Sequence, residues 1–203
     1  MKALYVTDRP AMGDDRFDRL LESLAGIAGL RVQLRERETS DRESLAWAVR
    51  AREKLGSDVP LFVNRRFDLA LAAAADGAHL PADGLPLARV RANTPRGFRI
   101  GVSTHSVEEA QAAIAAGADL VVIGPVFDTP SKRAYGAPLG PGVLAGLPRL
   151  ADHDVEVFAI GGIDESRMAG LEAYRDRISG VAAVRLFQEA PDPRAVAGRV
   201  AAR

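Results

Sequence analysis

Ser103, Thr104 and His105 stand where the apolar run Phe98–Val102 gives way to a helical pattern beginning at Ser106. α/β folds gather their chemistry at such strand-to-helix junctions. An imidazole titrates near neutral pH, so a histidine placed there can both take and give a proton. His105 has a second reading, as a capping-region histidine bonded to backbone. The chain has two other histidines. His79 closes an apolar strand beside Leu80 and Pro81 and reads as structural. His153, in the polar run Ala-Asp-His-Asp, reads as solvated.

Cations and glycines supply the other candidates. In Gln33-Leu-Arg-Glu-Arg37 a period of two puts Gln33, Arg35 and Arg37 on one side. At a strand end those guanidiniums can hold a phosphate or carboxylate in bidentate fashion. The alternative is charge pairing with Glu36 and Glu38. Gly161-Gly162 follows the strand-like Val157–Ile160 and precedes a helix near Asp164. Glycines there let backbone amides approach a phosphate; the alternative is a tight turn without a ligand. The segment 124–136 holds two prolines, two glycines and the pair Lys132-Arg133. It reads as a lid or anion clamp with Lys132 as its cation, or as a basic loop. Asn64, Ser103 and Arg185 also lie at strand ends. Asp8, Asp83 and Asp128 are the available carboxylates, and no pair of them is diagnostic of magnesium, so no metal site is assigned.

Positioning these residues falls to eight short apolar runs: Ala3–Thr7, Arg31–Leu34, Leu61–Val63, Ala78–Leu80, Phe98–Val102, Leu120–Ile123, Val155–Ile160 and Gly180–Val184. Most are apolar on both faces, as in a parallel sheet covered by helices. Helical patterns lie between them. Asp14–Ala25 lines up Phe17, Leu20, Leu21 and Leu24, and Leu69–Ala75 is rich in alanine. Ser40–Leu55 and Ser106–Ala116 each open with Ser-x-x-Glu, a capping box. Leu139–Leu150, Asp164–Tyr174 and Pro193–Ala202 complete the set. This is an α/β chain, and the reading is a single-domain (β/α)8 TIM barrel over 1–203. A doubly wound sheet is the runner-up, but it wants a Gly-rich first turn, which Thr7-Asp-Arg-Pro10 is not.

Composition narrows the function classes. The 27 basic and 27 acidic residues balance to zero net charge, which removes the phosphate attraction that nucleic-acid binders rely on. With no cysteine, disulfides, zinc–thiolate sites and cysteine nucleophiles are excluded. No apolar run approaches the roughly 20 residues of a membrane span. The expectation is a soluble, cytoplasmic protein whose partner is a small molecule, not nucleic acid or membrane, with a barrel face that can support a homodimer.

Tyr5-Val-Thr-Asp-Arg9, Gln33-Leu-Arg-Glu-Arg37, Val63–Ala70, His79-Leu-Pro81, Ser103-Thr-His-Ser106, Gly124-Pro-Val-Phe127 and Ala159-Ile-Gly-Gly-Ile163 occur in this order. Together they resemble the thiamine phosphate synthase and TenI superfamily over nearly the whole chain. The resemblance implies a (β/α)8 barrel, a phosphate near Gly161-Gly162, and work on a thiazole phosphate in thiamine biosynthesis. The synthase branch couples a pyrimidine diphosphate to that phosphate and uses magnesium. It carries an Asp after the Asn of the third strand and a second acidic ligand past the fourth. Here those positions are Arg65 and Gly84, with Asp83 adjacent.

The TenI branch lacks those carboxylates, as this chain does. Its resemblance implies a thiazole tautomerase that aromatises a carboxythiazole phosphate without a cofactor. His105 then shuttles the proton, and Arg35, Arg37 or Lys132 meets the substrate carboxylate. Arg185 stands where the superfamily usually has a small residue beside the phosphate, and either adds a salt bridge or fills the pocket. The tautomerase is the leading expectation. A magnesium-dependent synthase is the alternative, and a non-catalytic phosphate binder is a third.

Overall fold

The computed structural model describes residues 1–36, 39–129 and 136–202. Eight parallel strands close into a barrel, and each strand pairs with its neighbours in chain order. They are β1 Lys2–Val6, β2 Leu30–Leu34, β3 Leu61–Asn64, β4 Gly77–Leu80, β5 Arg99–Thr104, β6 Leu120–Ile123, β7 Glu156–Ile160 and β8 Gly180–Ala183. The ring is sealed by β1 against β8, with Leu4 opposite Ala182. The helices are α1 Asp14–Leu24, α2 Asp41–Leu55, α3 Phe67–Ala72, α4 Leu87–Arg91, α5 Val107–Ala115, α6 Glu165–Met168, α7 Arg185–Gln188 and α8 Pro193–Ala201.

The alternation of side chains along the strands splits the core in two. Leu4, Val6, Phe62, Leu120, Val122, Phe158 and Ala182 fill the barrel interior. A larger cluster, including Tyr5, Phe17, Leu34, Val63, Ile100 and Val121, packs the outside of the strands against the helices. The floor of the barrel is ionic. Glu156 accepts from Lys2 Nζ at 2.7 Å and from Arg31 Nε at 2.7 Å. Burial pushes the Glu156 carboxyl up, but the bonds from Arg31 and Lys2 outweigh it and hold the group below its ordinary range.

Several elements differ from the sequence reading. The pattern at Leu139–Leu150 does not form an α-helix; Pro141–Gly146 and Leu150–Asp152 are 3-10 turns. Gly140, Pro141, Gly142 and Gly146 disfavour α-helix there. Within Asp164–Tyr174 only Glu165–Met168 is α-helical, and Ala169–Tyr174 is 3-10. Helices α4 and α7 have five and four residues, too few for a periodic stripe to announce them. β5 runs two residues further than read, so Ser103 and Thr104 belong to the strand.

Candidate active site

The strand ends carry two polar pairs that line the barrel beneath its mouth. Gln33 is buried, and its Nε2 donates to Asn64 Oδ1 at 3.0 Å. His79 Nε2 and Ser103 Oγ are 2.8 Å apart. The His79 ring fits because its neighbour on β5 is Gly101, where a Cβ would lie 2.5 Å from His79 Nδ1. Full burial pushes the His79 imidazole down to about 4, so it is neutral at physiological pH.

His105 lies just past β5 and is exposed. Its Nδ1 is 2.7 Å from the Gly124 carbonyl oxygen. A carbonyl only accepts, so Nδ1 carries the proton and the second ring nitrogen of the neutral form holds a lone pair. Glu109 holds the same residue from behind, accepting the His105 backbone N–H at 2.7 Å. The predicted capping box at α5 is therefore split. Ser106 Oγ accepts from Glu109 N–H at 3.1 Å, while the glutamate side chain serves His105. The bond from Nδ1 to backbone is the one the capping-region reading of His105 expected.

The loop after β6 ties this histidine to the glycine pair. Val126 N–H donates to the Ile160 carbonyl at 2.7 Å and Phe127 N–H to that of Gly161 at 3.0 Å. Gly161 and Gly162 have φ of 106° and 62°, and added Cβ atoms would lie 2.5 Å from Pro125 Cα and 2.4 Å from the Asp128 carbonyl oxygen. The backbone thus demands both glycines before any ligand is considered. Among the described residues no protein acceptor takes the N–H of Gly161 or Gly162.

Arg35 N–H donates to Thr7 Oγ1 at 2.9 Å, which anchors the turn after β2. Glu36 faces the helices and is bound there by Arg9 at 2.8 Å, while Arg9 also lies over the Trp47 ring. Arg185 opens α7, just past the end of β8, and is exposed rather than packed into the barrel. Arg37 and Lys132 lie outside the described residues. His153 departs from the sequence reading. The residue is half-buried: its Nδ1 accepts from Val155 N–H at 3.1 Å, and its Nε2 is buried without a partner among the described residues. It borders an open cavity of about 710 Å³ with Lys2, Glu156 and Arg175, at the floor end and away from the strand C-termini.

Two further arginines lie near the mouth: Arg167, which the sequence reading did not single out, and Arg65, which it met only as a departure from the synthase pattern. Arg167 Nη1 donates to the Gly162 carbonyl at 2.6 Å, with its guanidinium over the Phe127 ring. Arg65 Nη2 donates to Asp83 Oδ1 at 2.9 Å. That pair stands where the resemblance puts the magnesium ligands. A guanidinium bonded to the nearby carboxylate repels a divalent cation, and Gly84 has no side-chain ligand, so these side chains do not fit magnesium. Among the described residues no three acidic or imidazole groups gather as a ligand set.

The thiamine monophosphate synthase family model matches residues 3–187. A Geobacter sulfurreducens protein provisionally named thiamine-phosphate synthase is 42% identical over 197 residues, covering 95% of this chain and 89% of its own. The thiamine-phosphate synthase of Chloroflexus aurantiacus is 35% identical over 202 residues, covering 98% and 91%. The solved thiamine phosphate pyrophosphorylase of Pyrococcus furiosus superposes with a TM-score of 0.79 at 25% identity, covering 99% of this chain and 94% of its own. These names favour the coupling enzyme, the alternative of the sequence reading, over the tautomerase placed first there; none of the three names a tautomerase. With the closed eight-stranded barrel and a family match from β1 to α7, the chain belongs to the thiamine monophosphate synthase family.

Proposed function

We propose that this enzyme of thiamine biosynthesis binds a thiazole phosphate at the C-terminal mouth of its barrel and aromatises a carboxythiazole phosphate by a proton shift. The observation that carries the choice of reaction is His105, with Nδ1 tied to Gly124 and the opposite nitrogen left as a base. The phosphate belongs at the ends of β7 and β8. The amides of Gly161 and Gly162 have no protein acceptor there among the described residues, and Arg185 adds a cation. Barrels of this type commonly bind phosphate at these strand ends.

His105 Nε2 takes the proton from the ring carbon. The electron pair of that C–H bond moves into the ring, and the exocyclic double bond shifts its pair to its terminal carbon. That carbon takes the proton back from the imidazolium. The Gly124 carbonyl bonds Nδ1–H in both charge states, so the ring keeps its orientation throughout. Glu109 fixes the backbone from which the ring projects. Arg35 and the two cations outside the described residues, Arg37 and Lys132, are candidates for the carboxylate, with Gln33, Asn64 and Ser103 lining the barrel below.

The second reading is a thiamine phosphate synthase, and the relatives' names favour it. Arg65 and Gly84 weigh against it, because coupling in that branch draws on magnesium beside the leaving diphosphate. One pair of assays separates the two. The proton-shift reading expects aromatisation of carboxythiazole phosphate in EDTA and no coupled product when hydroxymethylpyrimidine diphosphate, thiazole phosphate and magnesium are supplied. Magnesium-dependent thiamine phosphate formation without aromatisation would establish the synthase instead.

A further inference from the structure

The turn after β3 carries a feature that neither the fold nor the proton shift accounts for. Arg65 has φ +65°, and among the described residues only Ala74 shares positive φ without being glycine. Ala74 lies just past α3, where a left-handed residue is ordinary. Arg65 instead follows a strand. Arg66 N–H donates to the Asn64 carbonyl at 2.8 Å, which makes a γ-turn centred on a left-handed arginine. Arg65 N–H is pinned to the His79 carbonyl at 2.9 Å. Such a turn stores strain that glycine would relieve and asparagine would lessen. An arginine kept there contributes something other than stability.

Among the described residues its side chain makes one bond, from Nη2 to Asp83 Oδ1, and the two side chains are 57% and 79% exposed. An exposed pair with a single contact is worth little and exchanges readily. A guanidinium offers more to an incoming carboxylate or phosphate, which it binds through two parallel bonds. The preceding residue supplies a second donor. Asn64 Oδ1 is taken by Gln33, which leaves the Asn64 amide N–H groups without a protein acceptor among the described residues. In the closed ring β3 lies four strands from β7, so this rim faces the glycine pair across the mouth.

We infer that Arg65 is a specificity residue that releases Asp83 and takes a second anionic group of the substrate, at the end remote from its phosphate. On the proposed function that group is the carboxylate of carboxythiazole phosphate, and the choice of ligand rests on that reading. A diphosphate presents the same chemistry, so the test includes both. Arg65 does this as a fixed cation in place of a metal ion.

The experiment is calorimetric titration of the full chain in EDTA with carboxythiazole phosphate, decarboxylated thiazole phosphate and inorganic pyrophosphate. Wild type, Arg65→Asn and Asp83→Asn are compared. Asparagine tolerates positive φ, so Arg65→Asn is expected to melt at the wild-type temperature or above it. That variant is expected to bind carboxythiazole phosphate about tenfold more weakly, and decarboxylated thiazole phosphate within about twofold of wild type. Asp83→Asn frees the guanidinium and is expected to tighten the carboxylate ligand. Arg65-dependent binding of pyrophosphate alone would keep the anion site and remove the proton-shift reading. Equal weakening of both thiazole phosphates, unchanged binding of every ligand by Arg65→Asn, or no binding by wild type would overturn the inference.

Discussion

His79 and His105 lie on opposite sides of the barrel's dielectric boundary, and their chemistry divides accordingly. His79 is enclosed, and burial pulls its folded value down to about 4. The unfolded chain takes up the proton near pH 6.5 while the native chain stays neutral. Stability from this residue is therefore complete above about pH 6.5 and is lost as pH falls toward 4, on the order of 3 kcal/mol in all. Thermal melts across this interval should show a falling midpoint that flattens in His79→Gln. An unflattened slope would place the titration elsewhere. The sequence distinguished the two histidines by their neighbours alone: His79 within an apolar strand, His105 in a polar junction. It did not reveal the Gly124 carbonyl, 19 residues away, that selects the tautomer of His105. His153 read as solvated because Asp152 and Asp154 flank it, yet it is half-buried and one ring nitrogen is engaged by Val155 N–H.

Among the elements, local signals were legible and shared ones were not. Ser40 and Glu43 announce α2, and both arms of their capping box form, at 2.9 Å and 3.3 Å. The same four-residue signature at α5 gives half a box, because the neighbouring His105 N–H competes for Glu109. The glycine pair shows a comparable division. Its sequence suggested a phosphate cradle, yet its first physical requirement is the loop Gly124–Asp128 pressed against it. Gly161→Ala should therefore destabilise the barrel by about 2 kcal/mol through a strained φ and a clash with Pro125. It should also weaken thiazole phosphate binding and slow the reaction of His105, whose carbonyl partner lies in the same loop. Denaturant unfolding and ligand titration check this; an alanine variant of wild-type stability would contradict it.

On the scale of the whole molecule, the barrel was legible because eight apolar runs recur with helical patterns between them, and only a parallel sheet covered on its outer face buries them all. The floor was not legible. Lys2, Arg31 and Glu156 are separated by up to 154 residues and meet only when the ring closes. Glu156→Ala leaves Arg31 enclosed without its carboxylate and should cost about 3 kcal/mol. Because the floor is at the far end from the mouth, thiazole phosphate affinity should be unchanged in the variant while it remains folded. Among the described residues no helix is long and apolar enough to cross a membrane.

The account rests on a proton shuttled by His105 without a metal. The direct measurement is the single-turnover rate of carboxythiazole phosphate aromatisation in EDTA, followed by absorbance, for wild type and His105→Ala with matched ligand affinity. Removing a positioned acid–base group should slow the step by about 10²–10⁴-fold while thiazole phosphate still binds. An alanine variant that turns over at the wild-type rate, or a wild type that turns over only when magnesium is present, would contradict the account.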